Sequence, residues 1–183
     1  KNAELSDAQA ADIRYALDLS ELEERLQRVR ERIAGDLSDI GATNALIGVL
    51  QGALDQDTAE LANATGKRDC LADDVTYPDY TTCLANHPEP VTEGADRQAH
   101  LDAVEAIIIT LNADIAQAES RIRAQSTFRE VRTQDLQNDQ REERDIIEEI
   151  EAMRRQVATN KARIDSLGIE ITALEAERAA ILS

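Results

Sequence analysis

From Leu101 to Ile181 a single heptad register runs without insertion or deletion, and this run limits what the chain can fold into more than any other feature. Its a positions are Leu101, Ile108, Ile115, Ile122, Arg129, Leu136, Glu143, Ile150, Val157, Ile164, Ile171 and Arg178. Its d positions are Val104, Leu111, Ala118, Gln125, Arg132, Asp139, Ile146, Met153, Asn160, Leu167, Leu174 and Ile181. A seven-residue apolar repeat marks a helix made to pack on other helices, and here two apolar blocks flank a polar centre.

A second periodic segment precedes it. From Leu19 the a positions Leu19, Leu26, Ile33, Ile40, Ile47, Leu54 and Leu61 are all apolar, while the d row is mixed and includes Asp36, Thr43 and Asp57. Ser6 followed by Gln9 forms a capping-box pattern, which predicts a helix start near Ser6. Gly35 and Gly41 predict a bend or restart with Asp36 as a new cap. Leu37 and Leu46 widen the apolar face beyond the a/d seam, which favours a bundle.

Periodicity fails between Gly66 and Gly94, a stretch holding all three prolines, both cysteines and His87. It reads as the loop of a helical hairpin. The expected organisation is one elongated all-α domain, an antiparallel coiled-coil hairpin or helical bundle: arm one over about 6–66, a loop over about 67–95 and arm two over about 96–183, beginning near Thr92 or Glu93. Pairing from the loop outward sets Leu61 against Leu101 to Val104, Ile33 against Arg129, Leu26 against Leu136 and Leu19 against Glu143. The charged centre of arm two then meets the charged segment 21–32. An unbroken second arm would run about 120 Å, so about three heptads, with Ile164, Leu167, Ile171, Leu174 and Ile181, overhang arm one. Either the helix folds back near 125–140 into a four-helix bundle, or the overhang pairs with another copy.

Gln125, Arg129, Arg132, Asp139 and Glu143 stand at core positions, where polar groups cost stability but fix register and partner choice, so they read as a specificity segment or hinge. Cys70 and Cys83 flank a turn-like Tyr77-Pro78-Asp79-Tyr80. The favoured reading is a disulfide and an oxidising compartment, secreted or periplasmic. Two alternatives stand beside it: free thiols in a cytosolic loop, and a zinc site completed by His87 and His100. Zinc ligands usually come in closer pairs, and His100 falls on a surface-like g position. Asp69, Asp73, Asp74 and Asp79 crowd the same loop and offer a weak calcium site, although the spacing of a dedicated calcium loop is absent. Asn63-Ala64-Thr65 is a glycosylation sequon, meaningful only in a eukaryotic secretory pathway.

The net charge of −17 argues against nucleic acid or an anionic membrane as partner and for cations or a basic one. The same acidity also fits a halophilic or high-GC background. No apolar run reaches bilayer length and Lys1-Asn2-Ala3-Glu4 has no signal-peptide core, so the expectation is a soluble chain or a processed form. The sequence writes out no phosphate loop, nucleophile elbow or metalloprotease helix. Pairs such as Glu148-Glu149 are spaced like solvated helix faces.

The run Leu111-Asn112-Ala113-Asp114-Ile115-Ala116-Gln117-Ala118-Glu119-Ser120-Arg121, then Phe128-Arg129-Glu130, the polar stretch 135–144 and Ile146-Ile147-Glu148-Glu149-Ile150 resembles trichocyst matrix and granule lattice proteins of protists. The resemblance covers about residues 104–155. It implies an acidic, secreted, proteolytically matured subunit that assembles into a calcium-responsive matrix. The few lysines and aromatics depart from that pattern. The expected function is therefore a non-enzymatic structural protein whose partner is itself or similar helical subunits. The alternative is a monomeric hairpin that recognises a partner through loop 67–95.

Overall fold

The structure, a computed structural model, describes residues 1–86 and 96–182. The chain is all-α. Helix α1 runs Asn2–Ala72, a short α2 runs Thr81–Asn86 and α3 runs Arg97–Leu182. There is no strand among the described residues. Two compact units are formed, Lys1–Ser38 with Thr133–Ser183 (unit 1) and Asp39–Arg132 (unit 2). In each, a segment of α1 packs antiparallel against a segment of α3.

Helix α3 is continuous for 86 residues, so it does not fold back near 125–140. Gly35 and Gly41 likewise lie within an unbroken α1, and Asp36 is a buried interior residue, not a cap. Nor does the helix begin at Ser6. It begins at Asn2, because α3 offers the first turns a surface to pack on: Ala8 is buried, and Lys1 reaches Glu170 at 3.1 Å.

At its other end α1 passes Gly66 and stops only at Ala72, where the amide of Thr76 donates to Asp73 Oδ1 at 2.9 Å and closes the turn. Those extra residues change the pairing. In unit 1, Leu19, Leu22, Leu26 and Ile33 surround buried Val29, Ile146 and Ile150. Leu26 was expected against Leu136, so the pairing has moved by about ten residues along α3. In unit 2, Ala64, Leu71, Cys83, Val104 and Leu111 form the core, with Leu61, Leu101 and Ile108 packed around it.

The line that is buried deepest is the mixed d row, not the perfect a row. Val29, Asp36, Thr43, Leu50, Ala64 and Leu71 are buried on α1, whereas Leu19, Leu26, Ile33, Ile40, Ile47, Leu54 and Leu61 are only partly covered. Helix α3 repeats the pattern, with Val104, Leu111, Ala118, Ile146, Asn160 and Leu167 buried beside partly open Ile108, Ile115 and Ile122. Within each unit one helix therefore covers one line of its neighbour and leaves the flanking apolar line half open, except at Ile150, which is buried.

Candidate functional site

Three regions carry the residues singled out by sequence. The first is the polar centre. Arg32 donates to Asp139 at 2.9 Å and 3.0 Å, Arg25 to Glu142 at 2.7 Å, and Arg30 to Glu143 at 2.8 Å, all within unit 1. Charged segment 21–32 thus does meet the charged centre of α3, as ion pairs. The hydrogen bond from Arg25, reinforced by Arg32, holds the Glu142 carboxyl below its ordinary range. The bond to Asp139 raises Arg32 further. Within unit 2, Arg129 donates to Asn44 at 3.2 Å, and Arg132 approaches Asp39 at 3.4 Å while lying over the Phe128 ring. Gln125 is partly buried. None of these positions interrupts the helix; Arg129, Arg132, Asp139 and Glu143 tie α3 to α1 at fixed register.

The second region is the disulfide tip of unit 2. Cys70 and Cys83 are bonded, with Cα atoms 5.6 Å apart, which removes both thiolates from any zinc site. His87 lies outside the described residues. His100, expected on the surface, is buried against the Tyr80 ring with centroids 5.8 Å apart. Arg97 lies over the same ring and donates to the Tyr77 carbonyl. Lys67, which sequence reasoning did not single out, is 1% exposed. Both Lys67 and His100 fall on g positions, and the signal for their burial is the continuation of α1 beyond Gly66, which brings these two rim positions inside. Every buried side-chain nitrogen and oxygen among the described residues has a hydrogen-bond partner.

The expected calcium set is not gathered. Asp69 is taken by Arg68 at 2.6 Å, Asp73 caps the turn at Thr76, and Asp79 accepts from the Thr81 hydroxyl at 2.7 Å and amide at 3.0 Å. Those bonds lower both the Asp73 carboxyl, mainly through the Thr76 amide, and the Asp79 carboxyl, mainly through the Thr81 hydroxyl. Asp74 is not drawn to them, and among the described residues no group of three or more His, Cys, Asp or Glu is placed to hold a metal. Asn63 lies half-buried inside α1, which is not the surface loop that sequon glycosylation calls for.

The third region is the end of unit 1. The expected three-heptad overhang is much shorter, because α1 starts earlier and pairs further along α3. Leu167 is buried, and Ile164 and Ile171 are partly covered. Leu174 is exposed, as are Ile169 at 72% and Ile181 at 84%. Leu5, Ile164, Gly168 and Ile169 line an apolar groove of about 820 Å³ beside them. Ile13 and Leu17 are also bare. No helix among the described residues is long and apolar enough to cross a membrane. No protein family, curated protein or solved structure matches this chain.

Proposed function

We propose that this chain is a non-enzymatic structural subunit that assembles with copies of itself, or with similar helical subunits, into a secreted filament, lattice or matrix of the trichocyst type. The observation that carries this reading is the apolar surface left over after α1 and α3 have paired. The half-open a row, the groove at Leu5 and Ile164, and exposed Ile169, Leu174 and Ile181 are what one more helix would cover. Large apolar patches on a water-facing surface favour protein contacts. Two features give further support: a disulfide suits an oxidising compartment, and the carboxylates of the polar centre are held by arginines rather than left available for proton transfer.

The test is sedimentation across a wide concentration range, comparing wild type with Leu174→Ser/Ile181→Ser. Concentration-dependent association, weakened in the variant, is expected; a wild-type chain that stays monomeric at high concentration overturns the reading. A second reading, a hairpin that recognises a partner through its tip, draws on Val75, which is 87% exposed on a turn fixed by the disulfide. Replacing residues 74–77 by glycine and serine then abolishes partner binding with helicity intact.

A further inference from the structure

The charge of this chain is unevenly spread, and the two extremes are complementary. Residues 152–164 of α3 contain Arg154, Arg155, Lys161 and Arg163 and no acidic residue. The α1 segment beside them, 8–17, adds Arg14 against a single acid, Asp12. Tyr15, Arg155, Gln156, Thr159 and Arg163 line a polar groove of about 500 Å³ here. Arg154 is committed to Glu23 at 3.0 Å. Arg155 has only a loose 3.9 Å approach to Glu151, with both side chains largely in water. Ile13 and Leu17 stand exposed in the same α1 segment.

Unit 2 presents the opposite. Over residues 39–66 of α1 and 98–120 of α3 there is no lysine or arginine, while Asp39, Asp55, Asp57, Glu60, Asp102, Glu105, Asp114 and Glu119 supply eight carboxylates. Val49 and Ile109 are about as bare within this acidic field as Ile13 and Leu17 are within the basic one, at 71% and 70% exposed. A Cβ added at Gly41, Gly48 or Gly52 would meet nothing within 4 Å. These glycines therefore serve no packing inside the chain, and a further helix can approach closely over them.

We propose that the cationic groove of unit 1 docks the acidic, glycine-bearing face of unit 2 of a second copy of this chain. The proposal rests on the self-assembly reading and names its contact. Opposite charge steers the encounter and sets the partner. Because the two faces differ, each copy keeps one of its two surfaces free after a contact forms, so the association propagates head to tail unless it closes into a ring.

A charge swap tests this in the full chain. Arg155→Glu/Arg163→Glu and Asp55→Arg/Glu60→Arg change exposed residues, and unchanged far-UV circular dichroism verifies the fold. Each variant alone is expected to lose about tenfold or more in association constant, and an equimolar mixture to regain it, because the altered groove of one fits the altered face of the other. Wild-type association should also weaken as salt rises. If charge reversal disturbs the helix, the neutral pair Arg155→Gln/Arg163→Gln gives a smaller loss in the same direction. Association unchanged by either swap, or a mixture that does not recover, overturns this contact while leaving self-assembly standing; a wild-type chain that never associates overturns both.

Discussion

At the scale of single residues, the buried polar groups of the d row set the pairing. Asn160 donates to the Ala8 carbonyl at 2.9 Å and lies 3.4 Å from Asp12 Oδ1, so it ties α3 to one particular turn of α1. Truncating it by Asn160→Ala removes that tie and opens a small void, and should lower unfolding free energy by about 1–2 kcal/mol in a urea titration. Glu142 gives a pH signature. Its carboxyl is held below the ordinary value of 4.5 by Arg25 and Arg32, so the unfolded chain binds the proton more readily than the folded one. The stabilisation is complete above the ordinary value and is lost as pH falls through the lowered one. The urea midpoint should therefore be insensitive to pH near neutrality and drop below about pH 4, with a shallower acid limb in Glu142→Gln. Asp73 and Asp79 act in the same direction.

At the scale of elements, helix propensity and loop closure make separate predictions. Gly48 and Gly52 sit in the interior of α1 with open space where a Cβ would be. Alanine at either position should raise stability by about 0.5–1 kcal/mol, read as a higher melting temperature of the dilute chain. Reducing Cys70–Cys83, or replacing both with serine, frees a loop with a sequence separation of 13 and should cost about 3 kcal/mol. The existence of both long helices was legible in the heptads, and the disulfide in two cysteines flanking a turn. The pairing register was not. It depends on where α1 ends, and Gly66 looked like a stop; but Leu71 completes the d row one heptad past Ala64 and is buried with Cys83 and Val104, and that burial outweighs one poor helix former. The burial of His100 and Lys67, and the short overhang at Leu174 and Ile181, follow from the same extension. A heptad pattern marks which face is apolar, but not how far along the partner that face slides.

At the scale of the whole molecule, stability within each unit comes from a narrow core with polar ties on its rim, and much apolar surface is left uncovered. Exposed pairs such as Arg25–Glu142 and Arg154–Glu23 contribute little singly. Their value lies in selecting one register from many that the aliphatic repeat would tolerate. Raising salt should thus shift self-association more than it shifts helicity, a comparison that sedimentation and circular dichroism on the same samples can make.

The Cys70–Cys83 bond has a consequence for cleavage. The exposed turn around Val75 lies inside the loop that the bond closes. A protease that nicks the chain there produces two polypeptides, one carrying α1 and the other α2 and α3, that remain one molecule through sulfur and separate on a gel only after reduction. Maturation by a cut at this point would leave the helices paired as before and would release two new ends at the tip.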